Sequence, residues 1–105
     1  MADIMVIKKD KSRETFNRDK LKSGITKACE KRPVSNEEMN SVVDRIEIKV
    51  RNMDSTEVES TKIGDMVMKE LKKLDKVAYI RFASVYREFE DIGEFAKEIK
   101  SLKSD

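Results

Sequence analysis

Histidine and tryptophan are absent from this 105-residue sequence, and it has one cysteine, one proline and three glycines. Without histidine there is no imidazole acid–base chemistry. One cysteine cannot form a disulfide within the chain, and with no histidine it cannot anchor a zinc finger or ribbon. Cys29 lies among residues with helical spacing and reads as a small core side chain, not a reactive thiol. No apolar run approaches a membrane span and no signal peptide is visible, so the expectation is a soluble, cytoplasmic protein. A large excess of one charge sign is also missing: 23 Lys and Arg against 21 Asp and Glu leave a net +2. That balance gives no electrostatic case for general nucleic-acid binding.

What is present is charge of both signs, at 42% of residues, and hydrophobic residues at 38%. This mix suits amphipathic helices with heavily charged outer faces. The length is that of one domain, able to bury roughly two-thirds of its extended surface.

The spacing predicts a hairpin over 4–8 and 14–16, turning through Asp10-Lys11-Ser12. Asn17 is placed to cap a first helix carrying Leu21, Ile25 and Ala28. Gly24 within that helix suggests a closely packed neighbour. After Pro33, Ser35 and Glu38 form a capping box and Val34 with Met39 a hydrophobic staple. Met39, Val42, Val43, Ile46, Val50 and Met53 then share one helical face. Glu57-Val58-Glu59 has the composition of a short strand. Ser60 is expected to cap a third helix with Ile63, Met66, Val67, Leu71 and Leu74 inward. A break at Asp75 precedes a fourth helix, Lys76–Phe89, with two apolar stripes: Ala78, Phe82, Val85, Phe89 and Tyr79, Ala83, Tyr86. The two tyrosines read as exposed. Asp91 and Glu94 resemble a capping box that opens a last helix with Ile92, Phe95, Ala96, Ile99 and Leu102 as its apolar residues. The expected fold is α+β and mostly helical, a helical bundle capped by a small N-terminal β-sheet, spanning 4–102 as one domain.

Chemistry concentrates on the hairpin. Lys8 and Lys9 close the first strand, Glu14 opens the second, and Lys20 lies in the first helical turn. Ammonium groups are compact charges suited to phosphate, and a carboxylate can accept hydrogen bonds from an adenine amine or a ribose hydroxyl. On spacing alone, solvated charges around a loop remain the simpler description, since such clusters are common in so polar a chain. Glycine loops of the Walker or dinucleotide type are absent. Tyr79 and Tyr86 suit stacking on a base, yet tyrosines at helical spacing more often belong to a core or interface.

Val6-Ile7-Lys8-Lys9-Asp10, then Arg13-Glu14-Thr15-Phe16-Asn17 and Asp19-Lys20-Leu21, resemble the ATP-cone signature of ribonucleotide reductases and their regulators. Glu30–Ser35 and the run from Leu71 through Arg87 resemble the NrdR-type repressors within that group. The resemblance extends from Val6 to Leu102, and the Val77–Arg87 stretch is its more specific part. It implies a domain that binds ATP or dATP, with nucleotide state controlling homo-oligomerisation. It also implies repression of ribonucleotide reductase genes through a zinc ribbon that reads operator DNA. By the same resemblance Lys8, Lys9 and Lys20 contact phosphates and Glu14 lies near adenine. Val6 and Asn17 line the pocket wall, Ser60 sits at a facing helix start, and Tyr79 and Tyr86 touch a nucleotide or another subunit. A helix start offers free N–H groups to an anion.

Two departures from the family stand out. Only Met1-Ala2-Asp3-Ile4 precede the cone where the ribbon would lie, so this chain is expected to hold no zinc, and operator DNA to be reached only through a ribbon it lacks. Lys11 stands where many cones have glycine. Gly64 occupies a position that is larger in many reductase cones, which implies room for a second nucleotide. A detached cone from a reductase large subunit and a helical interaction or DNA-binding protein are the competing readings. An enzyme is disfavoured, because no catalytic base or magnesium-binding constellation is evident.

Overall fold

A computed structural model describes residues 3–103; Met1 and Ala2, part of the short segment ahead of the cone, lie outside them. The chain forms β1 (Met5–Ile7), β2 (Arg13–Thr15), α1 (Arg18–Ala28), α2 (Asn36–Arg51), β3 (Glu57–Glu59), α3 (Ser60–Leu74), α4 (Lys76–Tyr86) and α5 (Ile92–Lys103). This is the expected mostly helical α+β domain with a small sheet at one edge.

β1 and β2 pair antiparallel, with Val6 opposite Glu14. The turn is tied by Asp10, whose carboxylate accepts from the Ser12 amide at 2.9 Å. Lys11 there has φ 73°, a left-handed backbone that favours glycine and accounts for glycine at this position in many cones. β3 adds on the other side of β1, parallel, with Val58 beside Val6, so the sheet order is β2-β1-β3. The chain leaves β3 straight into α3, which places the first turn of α3 beside the end of β1 and its lysines.

Helix starts follow local chemistry. Asn17 accepts from the Lys20 amide at 3.1 Å and caps α1. The capping box of α2 is complete: the Glu38 amide donates to Ser35 Oγ at 3.1 Å and the Ser35 amide to Glu38 Oε1 at 2.9 Å. Asp75 caps α4 through the Ala78 amide at 2.9 Å and also holds Arg32 Nε at 3.0 Å, tying the α1–α2 link to the α3–α4 joint. Ile25, Val42, Val43, Ile46, Val50, Val67 and Leu71 are fully buried where α1, α2 and α3 meet. α5 packs mainly on α4.

Several expectations are corrected. Ser60 is the first residue of α3 and not its cap. Glu59 is still paired to β1 and therefore takes the extended cap position, where its side chain makes no capping bond among the described residues. α4 ends at Tyr86 and not Phe89, because Glu88 turns to φ 50°. Val85, on one of the two expected apolar stripes, and Ile92, on the expected apolar face of the last helix, are 81% and 84% exposed, and Val85 lies at the cavity instead of in the core. Tyr79, expected at the surface, is 4% exposed beneath α5, and Tyr86 is half-buried. Gly24 has no close neighbour: beyond its own helix, no described atom lies within 4 Å of where a Cβ would stand. Gly64 does have one. A Cβ there would collide with the Tyr86 ring, so the space that glycine opens is filled by this side chain.

Candidate nucleotide-binding site

The hairpin, α1, α3 and α4 line an open cavity of about 420 Å³. Val6 enters it from the central strand, and Lys8, two residues on, reaches the same side. Lys9 and Glu14 stand at the hairpin end, and Asn17 and Lys20 come from the start of α1. Opposite them, α3 contributes Ser60, Ile63 and Gly64, and α4 contributes Phe82 and Tyr86. Eight of the nine residues singled out from the sequence thus line one cavity. The ninth, Tyr79, lies elsewhere: its hydroxyl donates to Glu98 on α5 at 3.2 Å.

The lysines are all engaged. Glu14 accepts Lys20 Nζ at 2.9 and 3.1 Å, and Lys8 Nζ stands 3.5 Å from the same carboxylate. The hydrogen bond from Lys20 leads, with the charges of Lys20 and Lys8 behind it, in holding the Glu14 carboxyl below its ordinary range against partial desolvation. Lys9 Nζ lies 3.5 Å from Glu88 and 5.7 Å from the centre of the Tyr86 ring. Three ammonium groups therefore face two carboxylates in a hollow whose remaining wall is mostly apolar.

Beside Lys9, Phe82 and Tyr86 stack with centroids 5.6 Å apart and planes 26° apart. The Tyr86 hydroxyl donates to the Thr61 carbonyl in the first turn of α3. Burial, with the nearby charge of Asp65, pushes its pKa up, so it stays a neutral donor at neutral pH. The arrangement offers an apolar slot for a flat ring, cations for an attached anion, and the open first turn of α3 between them. Among the described residues no three His, Cys, Asp or Glu side chains gather as a metal-binding group.

Sequence reasoning missed Ile63, Phe82 and Glu88 as cavity residues. The first two read as ordinary core positions. Glu88 gave no signal, because its place depends on where α4 stops. Gly24, which also lines the cavity, was marked by its poor helix propensity, although as bare wall and not as a packing contact.

Residues 4–92 match the ATP cone domain family. The chain belongs to the ATP-cone family. Proteins named transcriptional repressor NrdR resemble it over nearly its whole length. That of Clostridioides difficile is 58% identical over 94% of this chain and 65% of its own length. That of Acetivibrio thermocellus is 57% identical over 97% and 68%, and that of Thermotoga neapolitana 53% identical over 99% and 67%. This ATP cone spans about two-thirds of the length of these relatives. No helix among its described residues is long and apolar enough to cross a membrane.

Proposed function

We propose that this ATP cone binds ATP or dATP as a regulatory ligand and serves as the nucleotide-sensing part of a ribonucleotide reductase gene repressor. One observation carries the reading: Lys8 and Lys9 from the end of β1 and Lys20 from the start of α1 converge on a cavity that also offers an apolar and partly aromatic wall in Val6, Ile63, Phe82 and Tyr86. Phosphates lie among the ammonium groups and the adenine against Val6, Ile63 and Phe82. Glu14 keeps acceptor capacity beyond its lysines, since an ionised carboxylate has about four lone-pair sites. It takes a hydrogen bond from the adenine amine or a ribose hydroxyl.

The NrdR names of the relatives support the repressor role. Nucleotide state controls self-association of the cone, and operator DNA is contacted by another part of the repressor. The nucleotide is a ligand and not a substrate, a reading supported by the relatives' being named transcriptional repressors. Calorimetric titration of the purified chain with ATP, dATP and GTP, paired with sedimentation, tests this. Saturable binding that favours adenine, with a different assembly in at least one nucleotide state, is expected. Absence of saturable adenine-nucleotide binding overturns the reading.

A further inference from the structure

Lys9 is partnered differently from the other two lysines. Lys8 and Lys20 share Glu14, a neighbour on the hairpin, whereas the carboxylate facing Lys9 comes from the other end of the domain. Glu88 follows α4 directly after the helix-capping Arg87, and its backbone is left-handed at φ 50°. Glycine is the usual residue at that position because it tolerates the conformation without strain. Glutamate there sends a carboxylate to the mouth of the cavity, 3.5 Å from Lys9 Nζ, with its side chain 73% exposed.

Arg87 points the other way. Its guanidinium lies 2.9 Å from Glu98 Oε1 on α5, and the same oxygen accepts the buried Tyr79 hydroxyl. Two adjacent residues, Arg87 and Glu88, therefore join the lysine end of the cavity to the helix that packs on α4.

We propose that Glu88 is a tethered competitor for the ligand's phosphate: it occupies Lys9 in the empty protein and is displaced on binding, and Arg87 passes that displacement to Glu98 and α5. The inference rests on the nucleotide reading above. Glu14 is held by two lysines, but Glu88 has, among the described residues, only Lys9 in the cavity and is exposed, so a phosphate arriving at Lys9 repels the Glu88 carboxylate out to solvent and takes its place. That exchange is the difference in interaction through which a ligand shifts a conformational equilibrium. Coupling of this kind is reciprocal. Loosening the hold of Glu98 on Arg87 must therefore favour the ligand, although Glu98 lies outside the cavity. A nucleoside without phosphates never competes for Lys9 and is blind to Glu88.

Calorimetry with ATP and with adenosine, on the parent, Glu88→Gln and Glu98→Gln chains, tests the competitor; amide exchange over 92–103 tests the transmission. Circular dichroism confirms that each variant is folded. Glu88→Gln is expected to tighten ATP about two- to fivefold, the range for an exposed ion pair, and to leave adenosine unchanged. Glu98→Gln shifts ATP in the same direction. Exchange in α5 quickens when the parent binds ATP, and is already quick in empty Glu88→Gln. Unaltered or weaker ATP binding by Glu88→Gln, or equal tightening of adenosine, refutes the competitor while leaving the nucleotide site intact. α5 exchange indifferent to ATP, or Glu98→Gln binding ATP as the parent does, refutes the transmission. A parent that binds no ATP refutes the site and the competitor together.

Discussion

Gly64→Ala is a small substitution whose sign depends on one distant side chain. In a helix interior, alanine is favoured over glycine by about 0.8–1 kcal/mol. Here the new methyl group would meet the ring of Tyr86, the far end of a side chain and so free to swing away. Swinging away breaks the hydroxyl bond to the Thr61 carbonyl, worth about 0.5–1.5 kcal/mol. It also breaks the stack on Phe82, worth about 0.5–1.5 kcal/mol. Exposing the half-buried ring adds a loss of about 1 kcal/mol. Together these losses exceed the helix gain, and Gly64→Ala should destabilise the cone by about 1–3 kcal/mol. In a Tyr86→Ala background the collision is gone, and the same change should stabilise by about 0.5–1 kcal/mol. Urea denaturation of the four chains of this double-mutant cycle measures the coupling. If Gly64→Ala stabilises both backgrounds equally, Tyr86 does not lie over Gly64 and the account of the cavity wall is wrong.

Asp75→Ala removes the α4 cap and leaves Arg32 without its carboxylate, so a loss of about 1.5–3 kcal/mol is expected in thermal or urea unfolding; an unchanged midpoint refutes the dual role. Burial raises the pKa of Asp75, but the Ala78 amide and the Arg32 guanidinium outweigh it and the net shift is downward. The stability it contributes is therefore present above the ordinary aspartate range and lost as pH falls through the lower folded value. The parent should lose stability on acidification below about pH 4 more steeply than Asp75→Asn. Cys29 is buried, and desolvation, with the charge of Asp75, raises its thiol pKa. A thiol reagent at neutral pH should modify it at the unfolding-limited rate, and prompt modification of the folded chain would contradict its burial.

Local signals in the sequence translated directly into structure. The Ser35–Glu38 box and the Val42, Val43, Ile46, Val50 face define α2 because capping and helical periodicity act over a few residues. The lysines and Glu14 were legible for the same reason, since hairpin and α1 are consecutive. What was not legible depends on contacts far apart in the chain. Pairing of Glu59 with β1 moves the cap of α3 off Ser60. Packing of α5 buries Tyr79, while Tyr86, seven residues on, reaches the cavity. The turn at Glu88 ends α4 early and carries a carboxylate to Lys9. The apolar half of the site, Ile63 and Phe82, has the same pattern in the sequence as the core around it.

The central claim is that the lysines at the hairpin hold a nucleotide's phosphates, and titration of Lys9→Ala and Lys20→Ala with ATP tests it most directly. Each substitution, in a chain shown to be folded by circular dichroism, removes a charge-assisted contact worth about 1.5–3 kcal/mol, or about ten- to a hundredfold in affinity. Lys49→Ala, on the exposed face of α2, controls for net charge and should bind as the parent does. ATP affinities of Lys9→Ala and Lys20→Ala that both equal the parent's would contradict the claim and reduce the cluster to solvated charges around a loop.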